Sequence, residues 1–441
     1  MLIEFSVKNF RSIRDEQRLS FVKGKGAELA STNVIEVTDA PAPLLAVLRS
    51  AAIYGPNAAG KTNLLRALSA LQSLVIGSAQ RNPAEPLPIT PFALSERTRA
   101  EPSEFEIHFI VDKVRYQYGI RADRQRIVEE WLFAYPKGKA QRWFERALSD
   151  DGPAAGYTVK FGESLKGEKE LWERVTRPNA SLLATAAQLN NEQLAPIFTW
   201  FATGLKIALG KGGWNELFAL SLLDRKQQAR VLEFLQAADF TISDLRVDEL
   251  ESSDLSAMPK GLPRQLQALL EGQLAGAKGF RITTRHDTAE GTSWEMSLAD
   301  ESDGMQKMFC LAGPWMDTLE RGNVMVIDGL HDNLHPALVE HLVRMFHDSK
   351  LNPKGAQLLF TTHETAILSQ HLFRRDQIWF CERDQTQATS VFPLSDFSVR
   401  KGSENVEKGY LAGRYGARPV VRPLAPGLIA SAASSNSGRS A

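Results

Sequence analysis

Eight residues constrain this chain more than any others. Gly55-Pro56-Asn57-Ala58-Ala59-Gly60-Lys61-Thr62 fits the spacing G-x4-GK-[ST]. The glycines let backbone N–H groups turn inward around a phosphate, Lys61 reaches the outer phosphates, and Thr62 offers a hydroxyl to Mg²⁺. Such a loop needs a strand before it and a helix after it. Both are legible: the mostly apolar run Leu44 to Tyr54 reads as a strand, and Leu64, Leu65, Leu68, Leu71 and Val75 keep helical spacing. Asn63 falls in the first helical turn, where the helix dipole adds to the anion site. A phosphate loop does not distinguish adenine from guanine.

A metal bound with the phosphates needs a second protein anchor. Val324-Met325-Val326-Ile327-Asp328 supplies one, an apolar strand ending in a carboxylate. Ser302-Asp303-Gly304 precedes that strand with room for one helix between. These residues suit a helix N-cap and equally a phosphate-binding helix terminus. His363 ends the next strand, QLLFTT, and so falls beside the same phosphates. His331 and His335 have metal-like spacing, but Pro336 starts a helix, so the pair belongs to a turn and no zinc site is expected. His341 and His347 read as ordinary helix positions.

Elsewhere the chain shows strand periodicity at its start and strand–helix alternation at its end. Ile3, Phe5 and Val7 alternate, with Gln17 to Val22 as a partner, and residues 23–43 read as a loop. Phe105 to Val111 and Val114 to Ile120 form a hairpin about Asp112-Lys113, extended by the runs 127–135 and 142–148. Residues 165–275 turn helical, with loops around Gly210 to Gly213 and Glu251 to Pro259. From Phe280 strands and helices alternate, the mark of a parallel α/β layer. The expected units are an N-terminal lobe over 1–150, a mainly helical insertion over 151–279, a C-terminal lobe over 280–422 and a disordered tail over 423–441.

Composition narrows the function classes. The 441 residues carry 52 Lys+Arg against 52 Asp+Glu, which argues against a general polyanion binder. The two cysteines, Cys310 and Cys381, cannot form a disulfide framework and fit a reducing compartment. No run approaches the roughly 18 apolar residues of a membrane span. Glu4 and Lys8 interrupt any secretory leader, so a cytoplasmic location is expected.

The ordered set NAAGKT, ESDGMQKMF, VMVIDGLHDNLHP and FTTHETAIL resembles the ABC-type ATPases of the RecF/SMC/OLD branch. In particular it looks like the stand-alone AAA ATPases of bacterial abortive-infection systems. IEFSVKNFRSI, RRDQIWF and YLAGRYGARP look like the same family, and the resemblance spans most of residues 1–420, weakest over 150–275. It implies an α/β ABC-type head, a phosphate-loop core sheet plus an antiparallel β subdomain, with a helical insertion. It implies ATP held by Gly55 to Asn63 and Mg²⁺ held by Thr62 and Asp328. By the same resemblance Ser302, Asp303 and Gly304 are the signature that meets the γ-phosphate bound by the opposite subunit, and His363 is the switch histidine. The implied partners are a second copy, or a higher homo-oligomer, and a separate toxin or nuclease effector; no membrane is implied.

One departure from the family matters most, although His331-Asp332-Asn333 also stand where the family usually has Asp-Asn-Ser. A Glu normally follows the Walker B Asp as the base that activates water, and here Gly329 follows Asp328. Binding should persist and turnover should be slow, unless His331 or Asp332 substitutes. The residues left after His363 give no room for a Toprim nuclease; Glu382-x-Asp384 is its only scrap. Three other classes compete. A RecF-like DNA-associated repair ATPase would need a basic face, for which Arg374, Arg375, Arg400, Lys401, Arg414, Arg418 and Arg422 are the candidates. A nucleotide-holding scaffold would bind without turnover. A transporter subunit would need a membrane-facing surface that the insertion lacks.

Overall fold

A computed structural model describes residues 1–37, 45–78, 81–149, 156–209, 224–250, 279–399 and 404–419. The first strands are β1 Leu2–Lys8, β2 Gln17–Ser20, β3 Val34–Val37, β4 Leu45–Leu48 and β5 Ser50–Tyr54. Next come β6 Ser103–Val111, β7 Val114–Ala122, β8 Ile127–Tyr135, β9 Gln141–Leu148 and β10 Tyr157–Phe161. β11 Leu205–Ala208, β12 Asp244–Leu250, β13 Gly279–Asp287 and β14 Ser293–Ser297 follow. The last are β15 Val324–Ile327, β16 Gln357–Thr361, β17 Ile378–Arg383 and β18 Thr389–Pro393.

The core sheet has the order β11-β15-β16-β5-β17-β18, parallel throughout except β18. Every residue of β5, β15 and β16 is buried, as expected of strands covered on both faces. A second sheet of seven antiparallel strands runs β10-β9-β8-β7-β6-β1-β2. Its central hairpin turns at Asp112 and Lys113, both with positive φ (48° and 66°), so two non-glycine residues make a tight turn of the primed kind.

The helix Lys61–Ile76 lies between the two sheets. Leu64, Leu65, Leu68, Leu71 and Val75 join one core with Phe5 and Phe105 of the antiparallel sheet and Ile53 of the core sheet. A second core covers the other face, where Met308, Leu311 and Trp315 of the helix Asp303–Arg321 and Leu342 and Phe346 of the helix Pro336–His347 meet Phe360 and Phe380. This is the α/β arrangement expected from the sequence, a core sheet with an antiparallel partner. Among the described residues no helix is long and apolar enough to cross a membrane.

Three local expectations need correction. The run ending at Tyr54 is two strands: β4 pairs with β3, β5 pairs with β16 and β17, and the chain changes sheet at Arg49, whose guanidinium donates to Asn352 O at 3.0 Å. The expected loop over 23–43 therefore contains β3, along with a helical turn at Ala30–Asn33. The helical stretch over 165–275 also contains β12, which pairs with β13, and gives up β11 to the core sheet, with Leu205 opposite Val324 and Ala208 opposite Ile327. Four residues are too few for periodicity to separate strand from helix. Gly210 to Gly213, Glu251 to Pro259 and the tail from 423 onward lie outside the described residues.

Candidate phosphate and metal site

The parallel strands deliver their chemistry to one edge. β5 leads into Gly55, β15 into Asp328 and β16 into Thr362 and His363, all at carboxyl ends, where open α/β sheets bind ligands. A cavity of about 380 Å³ lies there, lined by Asn57 to Asn63, Arg66, Asp328, Gly329, His331, Asp332, Thr361, His363 and Arg383.

The loop's backbone explains its composition. Gly55 and Gly60 have φ of 151° and 111°, and a Cβ on either would collide, with Cys381 O and with Thr389 Oγ1 respectively. Ala58 sits at φ 63°, a left-handed conformation seldom adopted by a residue with a side chain. Lys61 Nζ donates to Gly55 O at 2.7 Å and Pro56 O at 2.9 Å, which holds the ammonium inside the curl of the loop. Burial lowers its pKa to about 8, so it is mostly charged at neutral pH.

Thr62 Oγ1 donates to Asp328 Oδ2 at 2.8 Å, and Thr361 Oγ1 donates to Asp328 Oδ1 at 2.7 Å. Gly329 N donates to Thr361 Oγ1 at 2.8 Å, so one hydroxyl orders both the carboxylate and the chain that follows it. A hydroxyl and a carboxylate in contact are hard oxygen donors, the ligand type Mg²⁺ takes from protein. The set fits that ion, and Thr62 and Asp328 are the residues able to hold it.

Asn63 lines the cavity, but its amide is engaged at the rear, donating to Ser12 Oγ at 2.8 Å. Ser12 and Thr389 share a 2.7 Å hydrogen bond, and Thr389 Oγ1 donates to Ala59 O at 2.9 Å. Ser12 falls within IEFSVKNFRSI, but no spacing in the sequence links it to Thr389 or gives this buttress of the loop a role. Arg66 and Arg383 lie in none of the motif blocks, and Thr361, although within FTTHETAIL, has a role only through its contacts with Asp328 and Gly329.

The His363 ring lies 5.3 Å from that of His331. Burial first, then the charges of Lys61 and His331, hold the His363 pKa down to about 4, so it faces the cavity neutral at pH 7. His331 is lowered too, again chiefly by burial. His335 is a helix N-cap whose Nδ1 accepts from Ala337 N at 3.2 Å, and no metal-binding cluster of His, Cys, Asp or Glu occurs among the described residues.

Ser302, Asp303 and Gly304 do not line this cavity. Ser302 caps the helix Asp303–Arg321, its Oγ accepting from Met305 N at 3.3 Å, and Ser302 and Asp303 are exposed. A Cβ on Gly304 would lie 2.8 Å from Asn333 O, so glycine there permits close approach to the loop after β15. Lys307, one turn on, donates to the carbonyls of Gly329, Leu330 and Asp332 at 2.8, 3.0 and 2.8 Å.

Gly329 has φ 68°, and its missing Cβ would overlap Asp332 Oδ2. Glycine is therefore what this backbone requires, and a carboxylate from three residues on fills the vacant volume. The Glu382 carboxylate accepts from Ala417 N and that of Asp384 from Ala388 N, each at 2.9 Å, so Glu382 ties the C-terminal segment to β17 and Asp384 ties its own turn. Of the candidate basic face, Arg414 and Arg418 are exposed while Arg374 is not. Arg374 is buried against Asp376 at 2.8 Å, Arg375 faces Glu28 at 3.7 Å and Arg414 pairs with Glu404. Arg400, Lys401 and Arg422 lie outside the described residues.

A family model described as "AAA domain, putative AbiEii toxin, Type IV TA system" matches residues 50–369, from β5 to just past His363. Among solved structures, the SMC head domain from Thermotoga maritima is 12% identical over 90% of this chain and 99% of its own, with a TM-score of 0.38. The Smc head domain of Pyrococcus furiosus, with an extended coiled coil and bound to the C-terminal domain of ScpA, is 10% identical over 94% and 98%, with a TM-score of 0.36. No curated protein matches the chain.

Proposed function

This chain belongs to the family of AAA domains described as putative AbiEii toxin of type IV TA systems, and from that premise we propose that it is an ATP-dependent switch. It binds ATP with Mg²⁺ and closes head to tail on a second copy. The observation that carries the reading is the single cavity holding Lys61, Thr62 and Asp328 together. Lys61 takes the outer phosphates, while Thr62 and Asp328 hold the ion. Mg²⁺, when bound, neutralises charge on the outer phosphates. Neutral His363 offers one N–H donor or acceptor at the same wall.

The exposed signature residues support a closed dimer. Ser302 to Gly304 lie outside the cavity of their own chain, at a helix terminus suited to phosphate, so the nucleotide they meet belongs to the second copy. Closure then signals to an effector, a separate toxin or nuclease in a phage-defence system; the family description of a toxin–antitoxin system favours a partner of that kind.

The test is a titration of labelled ATP and GTP with Mg²⁺, followed by light scattering. The wild type should bind ATP and double its mass, while Lys61→Ala should lose binding at least tenfold. Equal affinity in both proteins would reject the phosphate site. An unchanged mass at saturating ATP would reject the sandwich.

A further inference from the structure

From the geometry around Gly329 we propose that Asp332 is the water-activating carboxylate of this ATPase, replacing the glutamate that position 329 lacks. The inference rests on the nucleotide reading above and deepens it. Three observations carry it. First, Asp332 Oδ2 occupies the space where a side chain on Gly329 would begin, so a carboxylate reaches the same wall by another route. Second, Asp332 lines the cavity with Lys61, Asp328 and His363, and its side chain is 59% exposed, so a water can reach it. Third, its backbone is fixed. Asp332 N donates to Gly329 O at 3.1 Å, and Lys307 grips the carbonyls of the same turn.

His331 completes the arrangement. Its Nε2 lies 3.5 Å from Asp332 Oδ1, while its Nδ1 is buried with no hydrogen-bond partner among the described residues. An imidazole beside one carboxylate oxygen leaves the other, Oδ2, for the water. In the step proposed, the water oxygen bonds to the γ-phosphorus as Asp332 takes one of its protons. The bond from that phosphorus to the β,γ-bridging oxygen breaks, and its electron pair leaves on ADP. The products are ADP and phosphate, and Asp332 then returns its proton to solvent. The pinned turn fixes the backbone that carries the carboxylate, which narrows the positions it can take beside the cavity.

The experiment is single-turnover hydrolysis of γ-labelled ATP with Mg²⁺ by the full chain, with affinity for a fluorescent ATP analogue measured on the same preparations. Asp332→Asn keeps size and turn geometry and removes the base. It should slow hydrolysis by about 10²- to 10⁴-fold while affinity stays within about twofold. Asp332→Glu, which restores a carboxylate, should recover at least tenfold over Asp332→Asn. Wild-type hydrolysis rates in Asp332→Asn, with binding intact, would overturn the assignment, as would ATP binding without turnover in the wild type. Failure of the wild type to bind ATP would instead overturn the nucleotide reading, and this one with it.

Discussion

Thr62 and Asp328, 266 residues apart in the chain, meet in a 2.8 Å hydrogen bond at the carboxyl edge of the core sheet. β16 lies between β15, which leads to Asp328, and β5, which leads to the loop before Thr62, and it contributes Thr361, which holds the other carboxylate oxygen. Asp328 therefore has both oxygens oriented by protein hydroxyls, and either hydroxyl can rotate. Asp328→Asn should fold, because an amide oxygen still accepts from Thr62 and the Thr361 hydroxyl can turn to accept from the amide nitrogen. What it removes is charge. Nucleotide affinity in Mg²⁺ should fall at least tenfold, about 1.4 kcal/mol, and chelating the metal should then change it no further. Calorimetric titration with and without a chelator reads this directly; a variant whose affinity still rises with Mg²⁺ would count against Asp328 as an anchor.

Ser302 carries two roles that can be separated. It caps the helix Asp303–Arg321, and in the proposed dimer it faces a phosphate of the second copy. Ser302→Arg removes both, with a cap loss of about 1 kcal/mol. Ser302→Asp keeps the cap but sets a negative charge toward the phosphate. Both variants should bind ATP normally and stay monomeric by light scattering, and only Ser302→Arg should lower the melting temperature. Dimerisation of Ser302→Asp at wild-type ATP concentrations would mean that this helix terminus does not meet nucleotide.

Acid should destabilise the protein through a group remote from the site. His347 is buried at the end of its helix and bonded to Ser50 Oγ at 2.8 Å. Burial first, then the charges of Arg49 and Arg344, lowers its pKa from 6.5 to about 3. The unfolded chain takes up the proton below about pH 6.5, whereas the folded protein resists until about pH 3. Between those values the unfolded state binds more protons, so this group's contribution is full above pH 6.5 and shrinks as pH falls, by up to about 1.4 kcal/mol per unit. His347→Gln should start less stable at pH 7.5 and lose less on acidification. Melting temperatures from pH 7.5 to 4.5 test this; parallel curves would exclude His347 as a major acid-labile group.

The contrast between what sequence revealed and what it hid follows from the range of each interaction. The phosphate loop, the strand before Asp328 and the amphipathic helix after Thr62 are local patterns, set by backbone geometry and burial within one element. β11 was hidden because Leu205–Ala208 is only four residues long and becomes a strand through β15, a partner more than a hundred residues away. Ser12 and Thr389 were hidden because a hydroxyl pair joining a turn to a distant strand leaves no periodic trace. Arg374 misled for the converse reason. Its charge reads as surface, and only the fold supplies the buried Asp376 and the backbone carbonyls that satisfy it.

Gly329 gives the sharpest test, because sequence and structure predict opposite outcomes for one substitution. Read as a missing base, the position should regain turnover in Gly329→Glu. The backbone says otherwise. At φ 68° a side chain is strained, by roughly 1–2 kcal/mol, and its Cβ would force the Asp332 carboxylate from its place. Gly329→Glu should therefore melt lower than wild type and hydrolyse ATP more slowly, since the new carboxylate displaces the one already there. Gly329→Ala, which adds the clash without a carboxylate, should show the same loss of stability and a similar loss of rate. Adding Asp332→Ala to Gly329→Glu makes room without relieving the backbone, so stability should return only in part. Single-turnover rates and melting curves on the four proteins decide the matter. Faster hydrolysis in Gly329→Glu than in wild type would show that the chain lacks a base, and that Asp332 does not supply one.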